Sequence, residues 1–207
     1  MKLSFAICTH NEGTYIQALL NQLIPFCEES GDEIVVVDDY STDELTLSLL
    51  NAYSDQGSIL LFKRHLDGSF ADHKNFLTEK CSGDYIVQID ADELLHDNLL
   101  TYLHDLVENN PDIDLLYVPR VNVVTGLTAE DIARYGWTVN ERGWVMFPDY
   151  QSRIYRNDIN IRWEGKVHER IQGAIHTAPL PPEEEWAIYH IKDRQRQVEQ
   201  NNFYASL

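Results

Sequence analysis

Five short, strongly apolar runs recur along the first 118 residues of this 207-residue chain, each separated from the next by a segment of helical period. The runs cover residues 3–8, 33–37, 58–62, 85–89 and 115–118. They are apolar on both faces rather than alternating, as parallel strands are when helices cover both sides of a sheet. Tyr15, Ile16, Leu19, Leu20 and Leu23 in the first intervening segment, and Leu99, Leu100, Leu103, Leu106 and Val107 in the fourth, fall three and four apart. That spacing lines one helix face. The stretch from Ser41 to Glu44, S-T-D-E, has capping-box spacing, with Ser41 accepting from first-turn amides and Glu44 reaching back. Pro111 ends the fourth helix. Alternation of this kind folds as an α/β domain with a mostly parallel, doubly wound sheet and helices on both faces.

After about residue 120 the pattern changes. Residues 121–143 read as a loop with one short helix around Ala129–Tyr135, and 144–171 as irregular or antiparallel strand material rich in aromatics and charges. Residues 177–185, T-A-P-L-P-P-E-E-E, form an acidic, proline-rich connector before a strand at 186–191 and a polar terminal helix. The division is therefore 1–120 as an α/β half and 121–207 as a smaller region packed on it, because the second part is thin in apolar residues.

Thirty-four Asp and Glu against sixteen Lys and Arg give a formal net charge of -18. Such a surface repels phosphate backbones and anionic bilayers, which argues against nucleic acid or membrane as partner. Cys8, Cys27 and Cys81 are odd in number and lack zinc-ligand spacing, which fits a reducing compartment. The opening apolar run is too short for a signal peptide and nothing later has the length of a transmembrane segment, so the expected location is cytoplasmic.

Ligands of open α/β sheets bind beyond the carboxyl ends of the strands. Here the first strand ends in C-T-H-N-E, the second in V-V-V-D-D and the fourth in I-D-A-D-E. Asp90 and Asp92 repel each other unless a cation or strong donors compensate. Paired hard oxygens favour Mg²⁺ or Mn²⁺, completed by water and phosphate oxygens. A turn in which Asp90 or Asp92 caps the following segment and Glu93 is solvated is the plainer alternative; beside a metal pair, Glu93 falls at a helix start or in a supporting position. Asp38 suits a helix cap, whereas Asp39 suits acceptance of hydrogen bonds from a base or ribose. Trp137, Trp144 and Trp163 fit either sugar stacking or the filling of a small lobe, and no role is assigned to them.

The segments F-A-I-C-T-H-N-E, E-I-V-V-V-D-D-Y-S-T-D-E, F-A-D-H-K-N-F and G-D-Y-I-V-Q-I-D-A-D-E, in that order, resemble the nucleotide-sugar-binding half of glycosyltransferase family 2, inverting enzymes of GT-A fold. The resemblance spans roughly residues 3–120. It implies a metal-dependent transferase that moves a sugar from a nucleotide-diphosphate sugar, UDP-linked, to a hydroxyl of a glycan-type acceptor, with Mn²⁺ or Mg²⁺ as cofactor. Residue by residue, it places Thr9, Asn11 and Glu12 at the nucleotide pocket and Asp39 on the nucleobase. Lys74, where the family more often has Arg, falls at a base or phosphate contact. Asp90 and Asp92 form the D-x-D motif that holds metal and diphosphate. His190 matches the late histidine that adds a metal ligand, a structural histidine being the plainer alternative, with Lys192, Arg194 and Arg196 near phosphate. Residues 163–171, W-E-G-K-V-H-E-R-I, resemble a segment of members that build lipopolysaccharide core. Inversion needs a base opposite the leaving group; Glu169 is assigned that role and His168 the orientation of phosphate or acceptor. A surface strand of alternating charge is the plainer alternative for this segment.

Three other classes compete. A nucleotidyltransferase needs a Gly-rich, basic loop after the first strand, and C-T-H-N-E-G-T-Y-I has one Gly and no Lys or Arg. A receiver domain carries its acidic pair after the first strand, not the second. An inactive sugar-nucleotide-binding module stays open, given the shortness of the second half.

Overall fold

The computed structural model describes residues 1–166 and 169–204, with the side chains of 203 and 204 set aside. Its first half alternates β1 (Leu3–Thr9), α1 (Gly13–Ser30), β2 (Glu33–Asp38), α2 (Glu44–Asp55), β3 (Leu60–Lys63), α3 (Phe70–Thr78) and β4 (Tyr85–Asp90). Then come β5 (Glu93–Leu95), α4 (Asp97–Thr101), α5 (Leu103–Glu108), β6 (Leu115–Val118), β7 (Arg120–Thr125) and α6 (Ala129–Tyr135). The remainder holds β8 (Gln151–Arg156), β9 (Arg162–Glu164), β10 (Arg170–Gln172), β11 (Thr177–Pro179), β12 (Ile188–Asp193) and α7 (Arg194–Tyr204).

The main sheet has the order β11-β6-β8-β4-β1-β2-β3. β1 pairs in parallel with β2 and β4, and β2 with β3, while β8 runs antiparallel between β4 and β6. The α/β class and mostly parallel sheet expected from the apolar runs are thus present. Each face of the sheet buries its own core. Phe5, Ile7, Val87, Leu19, Leu23, Leu99 and Leu103 fill one; Ala6, Val35, Val37, Ile86, Tyr155 and Trp163, with Ala71 and Leu77 of α3, fill the other. Each fully buried aliphatic or aromatic side chain stabilises the fold by about 1.5–3 kcal/mol. Gly83 lets β4 close on β1, since an added Cβ would lie 2.8 Å from the Leu3 carbonyl carbon and the Ser4 nitrogen.

Three sequence expectations need correction. The cap of α2 is Asp43, whose side chain accepts from Thr46 N at 2.8 Å, and Ser41 Oγ instead accepts from Asn11 N. The segment expected to be a loop from residue 121 begins with β7, which pairs in parallel with β12, itself antiparallel to β5, in a second sheet of order β5-β12-β7. The proline-rich connector begins with a strand, β11, paired only with β6 at the edge of the main sheet. Pro179 is tolerated there because an edge strand has one side without a ladder to break.

Candidate active site

The carboxyl ends of β1, β2 and β4 meet at one rim, and the residues singled out in the sequence lie along it. Thr9 ends β1 with Oγ1 buried and without a hydrogen-bond partner among the described residues. Asn11 adopts a left-handed backbone (φ 56°), and its Oδ1 accepts from the N–H groups of Thr42 and Asp43 at 2.7 and 2.9 Å. It thereby braces the loop after β2 against the loop after β1. Asp38 is fully buried and accepts from Ser41 N at 3.0 Å, so it shapes a turn. Asp39 is half-buried; Oδ1 accepts from Leu66 N at 3.0 Å, and its backbone carbonyl lies 2.7 Å from His10 Nδ1. Tyr40, also left-handed at φ 47°, stacks on His65 with centroids 3.9 Å apart. A bulky side chain at positive φ is strained, and such strain gathers at ligand sites.

At the end of β4 the chemistry changes from neutral donors to paired ions, with Glu93 buried, Asp92 largely buried and Asp90 partly exposed. Asp90 Oδ2 receives Arg153 Nη2 at 2.6 Å, and Oδ1 lies 3.9 Å from Lys74 Nζ. Burial pushes the Asp90 carboxyl up, but Arg153 and Lys74 outweigh it and hold the group well below the usual carboxylate range. Glu93 opens β5 rather than a helix; Oε1 takes Arg153 at 2.7 Å and Arg120 at 3.2 Å, and Oε2 accepts from Asp90 N. Asp92 Oδ2 meets His190 Nε2 at 3.1 Å, Arg196 Nη2 at 2.9 Å and Gln200 Nε2 at 3.3 Å. Burial again opposes ionisation, and His190 with Arg196 reverse it, so Asp92 too is held far below its ordinary value. Arg196 also grips Glu12 at 2.6 Å and lies over the Tyr15 ring. Burial raises the Glu12 carboxyl despite that pairing.

The imidazole of His190 is wired from behind. Asn122 Nδ2 donates to Asp149 Oδ2 at 2.6 Å, which leaves Asn122 Oδ1 to face His190 Nδ1 at 3.1 Å. Nδ1 therefore carries the hydrogen, and Nε2 meets the Asp92 carboxylate through either a proton or a cation. Asp92 Oδ2 and His190 Nε2 offer an O,N donor pair that would suit Mn²⁺ or Mg²⁺ once a cation replaced Arg196 and Gln200 on that oxygen. Among the described residues no group of three His, Cys, Asp or Glu could hold a metal, so the expected set of Asp90, Asp92 and His190 is not assembled: Asp90 faces Arg153 and Lys74 instead. Such an ion would take its other ligands from phosphate oxygens and water.

Glu169 accepts from Lys74 Nζ at 2.7 Å, close to Asp90. His168 lies outside the described residues. One cavity of about 1280 Å³ collects Thr9, Glu12, Asp39, Lys74, Asp90, Asp92, Glu169 and His190. Asn11 does not line it. The cavity also carries Arg120, Arg153, Arg170 and Lys192, with Tyr117, Trp137 and Tyr150. Burial lowers Lys192 to about 8, and its ammonium donates to Gln200. Trp163 is buried, while Trp144 packs on Phe147. Sequence reasoning missed Arg153, Arg120, Asn122 and Gln200. For Arg153 the signal was available: a charged residue directly preceding two apolar ones inside a strand-like run, S-R-I-Y-R.

A mostly parallel sheet with acidic strand ends opening on one large cavity has the GT-A architecture. The chain belongs to glycosyl transferase family 2, whose family model matches residues 4–175. It is 28% identical over 180 residues to the lipopolysaccharide core biosynthesis glycosyltransferase LpsC of Rhizobium meliloti, covering 86% of this chain and 56% of LpsC. An uncharacterized glycosyltransferase of Rickettsia bellii is 32% identical over 192 residues, covering 84% of this chain and 59% of the relative. The chain thus spans a little more than half the length of these relatives. Among solved structures, residues 1-349 of Staphylococcus aureus TarS in complex with UDP-GlcNAc superpose with TM-score 0.62 at 22% identity, covering 93% of this chain and 59% of that one. No described helix is long and apolar enough to cross a membrane.

Proposed function

We propose that this chain is a metal-dependent inverting glycosyltransferase that moves a sugar from a UDP-sugar to a hydroxyl of a glycan-type acceptor. The observation that carries the reading is the convergence of Asp39, the Asp92–His190 pair and Glu169 on one cavity. That cavity also gathers Arg120, Arg153, Arg170 and Lys192 beside its carboxylates in a chain of net charge -18, so cationic donors that could meet a diphosphate are present at the site. The UDP-GlcNAc complex of TarS, on the same fold, supports the choice of donor. Residues 1–120 hold the donor and 121–207 supply the acceptor side together with His190 and Glu169.

The half-buried carboxylate of Asp39 accepts from a base N–H or a sugar hydroxyl. Asp92 and His190 would hold the divalent cation, and a cation there supplies charge neutralisation at the leaving diphosphate. Glu169 takes the proton of the acceptor hydroxyl while that oxygen bonds to the anomeric carbon. The bond from this carbon to the distal phosphate oxygen breaks, and its electron pair leaves with UDP. Attack from the side opposite the leaving group inverts the anomeric centre.

Glu169→Gln tests the assignment of the base. Transfer from UDP-GlcNAc, or from whichever UDP-sugar of a panel the wild type uses, is expected to fall by about 10²–10⁴-fold. Donor affinity by calorimetry stays within about threefold, because glutamine keeps the shape. Full transfer by the variant removes Glu169 as the base.

A further inference from the structure

The geometry points to Lys74 and Asn75 as positioning residues for the base: α3 is the clamp that holds Glu169 in place and links it to the acidic end of β4. This inference rests on the transferase reading above, and it moves Lys74 away from the nucleotide contact that the family resemblance assigns to it.

The carrier of Glu169 is a very small hairpin. β9 and β10 pair over three residues each, Arg170 with Glu164, Ile171 with Trp163 and Gln172 with Arg162. They form a separate two-stranded sheet outside the main one. An isolated hairpin of that size has marginal stability, so its position must come from what it leans on. It leans on α3 at several points. Phe70 N donates to Lys166 O at 3.1 Å. The Asn75 amide pairs with the backbone of Trp163 in both directions, Nδ2 to Trp163 O at 2.8 Å and Oδ1 from Trp163 N at 2.9 Å. A side-chain amide here does what a neighbouring strand would do. Thr78 Oγ1 lies 2.8 Å from Tyr155 Oη, which in turn takes the Trp163 indole N–H at 3.1 Å.

Lys74 completes the clamp. Its side chain is 9% exposed, its ammonium sits 4.4 Å over the Trp163 ring, 2.7 Å from Glu169 Oε1 and 3.9 Å from Asp90 Oδ1. An ammonium so placed is enclosed by the hairpin's aromatic face and two carboxylates, so its charge is committed inside the protein. A carboxylate has acceptor capacity on both oxygens, so an ammonium on Oε1 does not block proton uptake at the other. The two motifs that looked separate in sequence, H-K-N and W-E-G-K-V-H-E, are thus the two halves of one contact.

Steady-state kinetics and calorimetry on the full chain separate this role from a donor contact. Lys74→Met is expected to lower kcat by about 10²-fold while donor KM and UDP affinity move less than threefold. Lys74→Arg, which keeps the charge, restores kcat to within about tenfold of wild type, and Asn75→Ala lowers kcat about tenfold with donor affinity unchanged. In the double variant Lys74→Met/Glu169→Gln the rate loss should equal that of Glu169→Gln alone, because the lysine acts through the glutamate. The double variant also removes the carboxylate left without its partner, so it reports donor affinity even if Lys74→Met alone does not fold. A tenfold or larger loss of UDP affinity in either Lys74→Met background, or rate losses that multiply, overturns the inference. A wild type that binds no UDP-sugar would instead sink the transferase reading itself.

Discussion

The two ends of the cavity are built on different physics. At the end of β2, Asp39 is half-buried and meets a backbone N–H and imidazole rings supplied by neighbouring loops. At the end of β4, Asp90 and Asp92 are locked by Arg153, Lys74, His190 and Arg196. The first end offers hydrogen bonds of modest strength to a neutral, planar partner. The second concentrates charge around buried Lys74, Glu93 and Arg153 and largely buried Asp92, where an unpaired ion is costly. Asp90 is partly exposed beside them, the setting in which a diphosphate and a cation can exchange for internal partners. One end is therefore suited to recognition and the other to reaction.

That contrast can be broken by substitution, and the largest effect belongs to the β4 end. Arg153→Met leaves Asp90 and Glu93 without their shared cation, and denaturant unfolding should show a loss of about 3–5 kcal/mol. A loss below about 1 kcal/mol would mean that the charged end is not a structural unit. Next comes His190→Ala, which removes the imidazole from Asp92. Metal-supported transfer should fall by about 10²-fold, and Mn²⁺ titration should shift to higher concentration by about tenfold or more. An unchanged metal titration would separate His190 from any ion at Asp92.

Asp39→Asn is the counterpart at the quiet end. UDP affinity is expected to drop by about tenfold, as for loss of a hydrogen bond to a charged acceptor, while stability changes by less than about 1 kcal/mol. Equal losses of stability at Asp39 and Arg153 would erase the contrast. The smallest effect on the cavity lies at the amino end of β2, where Glu33 takes Lys2, Ser4 and Ser82. Burial there pushes the carboxyl up, but these donors bring it down to about 2 from an ordinary 4.5. A depressed folded-state value adds stability above about pH 4.5 that is lost as pH falls toward 2. Glu33→Gln should therefore lower stability by about 1–3 kcal/mol at neutral pH, with the difference from wild type closing across that acid window and UDP affinity unaffected.

The same two ends explain how much could be read from the chain alone. β1, β2 and β4 were legible because burial on both faces makes continuous apolar runs, and the acidic residues follow those runs directly. Asp39's main partner, Leu66, is 27 positions away. Apart from Lys74, the partners at the charged end lie much farther off: Arg153 is 63 positions from Asp90, and Arg196 and Gln200 are 104 and 108 from Asp92. They arrive only because β8 inserts between β4 and β6 and β12 pairs with β5 and β7. No local period encodes those pairings. Asn122 was hidden for the same reason, since R-V-N-V-V-T becomes a strand only once β12 lies beside it. His190 was found through family likeness, and its place against Asp92 depends on that same register.

The most direct measurement is calorimetric titration of UDP into the full chain, with Mn²⁺ and then with the metal chelated. If Asp39 receives the base while Asp92 and His190 share a cation with the diphosphate, UDP binds in both conditions and at least about tenfold more tightly with Mn²⁺. Absence of UDP binding at millimolar concentration with metal present, or an affinity indifferent to the metal, is incompatible with a metal-dependent sugar-nucleotide site at these strand ends.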